Sequence, residues 1–215
     1  MKKEVKVDIY TPEEELANAI THGIGILGAL VAFIYVLLQP IENTAVFWST
    51  SVFCATAFIL YSSSTLYHSV KSKSKKFLFK KLDHISIYLL IAGTFTPFCW
   101  GVLGGTSLGI NLLIAVWAIA IAGIVFKIFL TGKLEFISLA SYLGMGWLGF
   151  LMFDEIAEIL SQEVVNMMLY GGVSYTVGVA FYLMRKLTYH HAIWHLFVLG
   201  GTGFHMYAVL KYVVA

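Results

Sequence analysis

Two histidines lie four residues apart near the end of the chain, in the sequence HAIWH at 191–195. On an α-helix this spacing puts both imidazoles on one face, about 6 Å apart, which suits chelation of one metal ion. Histidines at a membrane interface also make ordinary hydrogen bonds, so the pair by itself leaves both interpretations open. A third ligand from another helix would favour the metal site.

We expect membrane-spanning helices to carry these histidines. Hydrophobic residues make up 59% of the 215 residues and charged residues only 12%, a composition typical of a multi-span membrane protein. A spanning helix needs about 20 mostly apolar residues. Seven segments meet this requirement: 19–38, 45–69, 82–103, 107–130, 136–153, 164–184 and 190–213. We therefore predict an all-α fold, in which residues 1–215 form one seven-helix transmembrane bundle.

The basic residues predict the orientation of this bundle. All but one of the 14 lysine and arginine residues flank the spans on the same side, and basic loops usually stay cytoplasmic. The N-terminus is therefore expected in the cytoplasm and the C-terminus outside. Thr11 and Pro12 suit the start of a helix, so we expect a short cytoplasmic surface helix at 11–22. The net charge of only +2 argues against a nucleic acid partner.

With this orientation, six of the seven histidines and Asp83 fall in the cytoplasmic half of the membrane. His68, at the inner end of the second span, supplies a third ligand for His191 and His195, and Ser64 lies one turn away on the same face. Three histidines leave one position of a tetrahedral zinc ion open, which is the catalytic pattern. The Asp83 carboxylate could orient or deprotonate a water molecule that attacks a carbonyl. A carboxylate inside a span costs roughly 2.5–3.5 kcal/mol, which favours a functional role.

A second polar group precedes the first span. Glu15, Asn18 and His22 share one helix face. They close the cytoplasmic mouth of the site, brace a neighbouring loop, or form a solvated, charged helix face. Cys54 and Cys99 both lie in apolar segments, so a disulfide framework or a cysteine zinc site is not expected.

Three further histidines are left out of the metal set. His84 and His190 point about 100° away from the better candidates beside them. His205 lies ten residues beyond the HxxxH pair, roughly 15 Å along the helix axis. We expect His205 to form a hydrogen bond inside the bundle.

Four segments together resemble the motifs of the bacterial haemolysin III proteins, within the larger progestin and adiponectin receptor family, whose members are similar to alkaline ceramidases. The segments are ELANAITHG (15–23), STLYHS (64–69), KLDHISIYLLIAGTFTPF (81–98) and HAIWHLFVLGGTGFH (191–205). The resemblance implies one zinc ion held by His68, His191 and His195. It also implies that Asp83 positions the attacking water and that Ser64 lies beside the catalytic site. The tails are too short to receive a protein hormone, so none is expected as a partner.

The leading hypothesis is a zinc-dependent hydrolase of a lipid amide or related lipid in the cell membrane of a bacterium. One alternative is a non-enzymatic sensor or regulator of membrane state, with lipid as a ligand. Another is a membrane-perturbing haemolysin or channel, although the sequence has no ring of charges and no toxin-like amphipathic helix. The sequence predicts no oligomeric state.

Overall fold

Eight α-helices form seven spans in the computed structural model, which describes residues 10–214. The helices are α1 (Pro12–Leu38), α2 (Thr44–Ser69), α3 (Lys73–Thr96), α4 (Ser107–Leu130), α5 (Glu135–Trp147), α6 (Phe153–Ile159), α7 (Gln162–Leu183) and α8 (His190–Tyr212). The predicted all-α, seven-span fold is confirmed over this range. The fifth span consists of α5, a 3-10 segment at Leu148–Met152 and α6.

Helix α1 begins where the sequence predicts but is longer than expected. The Glu14 backbone N–H donates to Thr11 Oγ1 at 3.2 Å, and the Thr11 N–H donates to Glu14 Oε2 at 3.0 Å, which is a capping box. The helix predicted at 11–22 and the span predicted at 19–38 form one continuous helix, because α1 runs unbroken from Pro12 to Leu38. No proline follows Pro12 within this stretch, so nothing interrupts the hydrogen bonding along the helix.

Two other spans differ from their predicted bounds. Helix α3 starts at Lys73, whereas the apolar segment starts at 82. Its first turns, KSKKFLFKK, are too polar for a hydropathy criterion, but lysine and leucine favour helix. In the fifth span the regular helix stops at Trp147, within a stretch that contains three glycines and therefore has weak helix propensity.

The packing of the bundle brings the starts of α1, α3 and α8 to the end of α2. Helix α2 packs between α1 and α3, while α8 packs against α1 and α7. Gly25 makes the α1 contact close, because a Cβ there would lie 2.6 Å from the ring of Tyr61. The opposite face of α1 exposes large apolar side chains, among them Leu16, Ile20 and Ile24. This is the face expected to contact lipid.

Candidate metal centre

Three buried histidines from two helices converge at one end of the bundle. His68 lies in the last turn of α2, and His191 and His195 lie in the first two turns of α8. Their candidate ligand atoms all lie within 4.8 Å of one another. The structure therefore brings together the three residues that the sequence predicts as metal ligands.

Hydrogen bonds to α1 determine which ring nitrogen carries the proton in His68 and His195. His68 Nδ1 lies 2.7 Å from Glu15 Oε2, and His195 Nδ1 lies 3.1 Å from the backbone oxygen of Asn18. Carboxylate and carbonyl oxygens only accept hydrogen bonds, so each Nδ1 carries the proton and donates it. The Nε2 of each neutral ring is then the nitrogen with a lone pair. This is the arrangement that outer-shell partners give to metal-binding histidines.

The His191 ring, unlike the other two, is not fixed by a hydrogen bond within residues 10–214. Both of its ring nitrogens are buried, and neither has a hydrogen-bond partner among residues 10–214. Buried polar atoms are normally satisfied, so a metal ion at this position fits the ring. Two nitrogens on one tetrahedral zinc ion are about 3.4 Å apart, given Zn–N bonds of about 2.0–2.1 Å. Small side-chain rotations would therefore bring the three rings onto one ion.

The residues predicted to close the mouth of the site instead surround the histidine rings. Glu15 bonds His68 through one oxygen and Lys76 Nζ through the other, both at 2.7 Å. Asn18 is fully buried and contacts both His68 and His195. His22 stacks on His195, with ring centroids 3.5 Å apart. The alternative of a solvated surface does not fit these contacts.

The Tyr10 ring and a hydrogen bond between the starts of α1 and α8 lie beside the histidines at this end of the bundle. The Tyr10 ring lies 5.2 Å from the His191 ring and 5.8 Å from the His68 ring, between centroids. At the start of α8, Tyr189 adopts a left-handed backbone conformation with φ of 59°, which is uncommon for a non-glycine residue. Its N–H donates to Glu14 Oε1 at 3.1 Å. This bond ties the start of α1 to the start of the HxxxH helix.

The two candidate catalytic residues occupy different surroundings. Asp83 in α3 is buried and lines the same cavity as His191 and His195. Ser64 in α2 is fully buried, and its hydroxyl has no hydrogen-bond partner within the described part of the chain. Ser64 is not part of the described cavity wall. Asp83 can therefore meet a ligand in the cavity directly, whereas Ser64 faces the interior of the bundle.

The cavity extends from the histidines between α3, α5, α7 and α8. Its empty volume is about 1190 Å³ when the space at its open mouth is included. Its walls are mostly aliphatic and aromatic, while His22, Asp83, His191 and His195 provide polar groups at one end. The cavity thus joins a polar centre to a long apolar space.

The three histidines left out of the metal set each have other surroundings. His84 Nδ1 lies 3.7 Å from Glu135 Oε2, which Lys127 also contacts at 3.0 Å. His190 is buried with its ring centroid 6.0 Å from that of Tyr10. His205 Nε2 donates to a backbone oxygen of α7 at 3.0 Å, which is the bundle hydrogen bond that the sequence predicts.

A profile of the family described as "Haemolysin-III related" matches residues 10–206. The chain belongs to the haemolysin III family. The resemblance found in the sequence motifs is thereby confirmed, and its wider placement with the progestin and adiponectin receptors is consistent with this family.

Two Bacillus proteins are similar to this haemolysin III chain over nearly their whole length. It is 43% identical to "Hemolysin-3 homolog" of Bacillus subtilis (strain 168), over 96% of this chain and 97% of the relative. It is 42% identical to "Hemolysin-3" of Bacillus cereus, over 94% and 93% respectively. A human protein, "Monocyte to macrophage differentiation factor", is 27% identical over 93% of this chain and 84% of its own. With its seven spans and these Bacillus relatives, the chain is a multi-pass bacterial membrane protein.

Several residues of the haemolysin III site were missed by sequence reasoning. Lys76 was counted only as a basic loop residue, yet it holds Glu15. Tyr10 precedes the first helix, and no motif places it over the histidines. Lys127 lies near the end of α4 and Glu135 at the start of α5, on either side of a short loop. The sequence signal for the charged ones is the presence of lysine and glutamate beside or within apolar segments of the chain.

Proposed function

We propose that the protein binds one zinc ion per chain through His68, His191 and His195. The observation that carries this proposal is the arrangement of the three rings. Two are held through protonated Nδ1 atoms and keep Nε2 lone pairs, and the third has two buried nitrogens without a partner in the described range. Three nitrogen ligands leave the fourth position of a tetrahedral zinc ion open for chemistry.

We further propose that this site hydrolyses an amide bond. Zinc at an open three-histidine site supplies Lewis acidity for a carbonyl and for the attacking water. The Asp83 carboxylate, in the same cavity, would accept the proton of that water at one of its oxygens. It would return the proton to the leaving nitrogen. One water molecule is consumed, the carbon–nitrogen bond breaks, and the products are a carboxylic acid and an amine.

The shape of the cavity supports a lipid as the substrate. An apolar space beside a polar centre can hold an acyl chain while the amide lies near the histidines. The predicted orientation places the centre near the inner leaflet, where lipid head groups are within reach. A ceramide-like lipid amide combines these features, and a related lipid ester would use the same groups.

Removal and return of zinc tests the hydrolase proposal. Purified protein in lipid nanodiscs should release fatty acid from at least one member of a panel of lipid amides and esters. Chelation should reduce the rate to background, and added zinc should restore it. If the zinc-loaded protein releases no fatty acid from any lipid, the hydrolase proposal is contradicted and a non-enzymatic sensor of membrane lipid is favoured.

The names of the two Bacillus relatives favour a second candidate function, perturbation of membranes. That function predicts release of a trapped dye from liposomes at low protein density. Retention of dye while lipid hydrolysis proceeds would separate the two functions.

Replacement of Glu15 tests the outer shell of the proposed zinc site. We expect Glu15→Gln to weaken zinc binding about 10–100-fold, the usual effect of losing such a partner, because the amide is a weaker acceptor for the His68 Nδ1 proton. Competition with a chromogenic chelator measures the affinity. Glu13→Gln is the matched control, since Glu13 lies in the same helical turn but is exposed. Equal zinc affinity in both variants would contradict this role of Glu15.

A further inference from the structure

His205 lies at the far end of the cavity from the metal centre. It follows His195 by ten residues in α8, roughly 15 Å along the helix. It lines the main cavity and also a smaller adjoining cavity, which extends toward Phe150 and Met152. A ligand chain that starts at the metal centre and fills the apolar space would pass this side chain.

The orientation and the proton position of the His205 ring are fixed by α7. Its Nε2 lies 3.0 Å from the backbone oxygen of Met168, so Nε2 carries the proton and donates it. Gly171 packs against the same edge of the ring, where an added Cβ would overlap Nε2. The neutral ring therefore presents Nδ1 as an acceptor. Nδ1 is buried and has no hydrogen-bond partner among residues 10–214.

The neighbouring polar side chains of the cavity are already engaged. The Trp147 indole N–H donates to Thr176 at 3.1 Å. The hydroxyls of Thr94 and Thr176 donate to backbone oxygens of their own helices. The Tyr175 and Thr202 hydroxyls pair at 2.8 Å. His205 Nδ1 is thus an acceptor in an otherwise satisfied, largely apolar region, where an unmet acceptor is costly.

We infer that the cavity selects a lipid whose acyl chain carries a hydroxyl group, and that this hydroxyl donates to His205 Nδ1. The inference rests on the proposed lipid function for the position of the ligand's head. It adds a substrate class, hydroxylated acyl chains, and a specificity residue remote from the metal. The hydroxyl has to lie well along the chain, because the metal centre and His205 are separated by about three helical turns.

Binding of free fatty acids, the acyl product of amide hydrolysis, tests this inference without requiring turnover. Stearic acid and a series of hydroxystearic acids, in which the hydroxyl moves along the chain, would compete with a fluorescent fatty acid for the purified protein. We expect one isomer with a mid-chain hydroxyl to bind about tenfold more tightly than stearic acid, as one buried hydrogen bond allows. No preference for any isomer in the wild-type protein would overturn the inference.

Two variants assign the preference to this residue. His205→Leu should lose the preference, so that stearic acid and the hydroxylated isomer bind to this variant with equal affinity. His205→Gln keeps an acceptor and should retain part of it. A full preference in His205→Leu would also overturn the inference. Because the readout is binding, a preference without hydrolysis would contradict only the hydrolase proposal, and hydrolysis without a preference would contradict only the role of His205.

Discussion

His191→Ala is expected to lower zinc affinity by more than about 100-fold, beyond the effect of losing an outer-shell partner. The substitution removes a proposed direct ligand, whose two ring nitrogens have no partner in the described part of the chain. Metal analysis of the purified, dialysed protein should find about one zinc per wild-type chain and almost none in the variant. His195→Ala should behave in the same way.

His190→Ala is the matched control for this loss. His190 is adjacent in sequence and also buried, but it is not a member of the three-histidine cluster. It should keep one zinc per chain. Retention of full zinc by His191→Ala would contradict the site, whereas zinc loss by both variants would indicate a general disturbance of the start of α8. Circular dichroism of each variant in detergent checks that the helices remain folded.

Asp83→Asn is expected to keep its zinc and to reduce lipid amide turnover by about 10²–10⁴-fold. The amide side chain has nearly the same shape as the carboxylate but cannot accept the proton of the attacking water. Fatty acid release under saturating substrate, together with zinc content, measures both properties on one sample. The change should therefore affect kcat without removing the metal.

Asp154→Asn controls for the loss of a carboxylate, because Asp154 is exposed in the first turn of α6 and lies outside the cavity wall as described. Its turnover should match the wild type. Unchanged turnover in Asp83→Asn would contradict the proposed general base. Loss of zinc together with activity would instead make Asp83 part of the metal ligand set.

The histidine cluster could be predicted from the sequence because two patterns point to the same site, the spacing of histidines on a helix and the distribution of basic residues among the loops. The i, i+4 spacing of His191 and His195 fixes their shared face locally, and the distribution of basic loop residues fixes the depth at which His68 meets them. The bounds of α8 were also close, since the predicted 190–213 compares with His190–Tyr212. A sharp polar start marks the beginning of that helix.

The contacts around the cluster could not be predicted, because they depend on which helix ends meet in space. The stacking of His22 on His195 requires the packing of α1 against α8. The Glu15 bond to Lys76 requires α3 to begin in a polar stretch that hydropathy assigns to a loop. The continuity of α1 could not be predicted either, because the capping residues at 11–12 show where a helix begins but not that it continues into the apolar segment at 19–38.

X-ray absorption at the zinc edge of the purified wild-type protein tests whether the three histidines bind zinc. We expect about one zinc per chain, with three imidazole nitrogens and one further light atom at about 2.0–2.1 Å. We also expect the imidazole scattering to be lost with His191→Ala. Absence of zinc, a sulfur ligand, or a coordination shell without imidazoles would contradict zinc binding by these histidines.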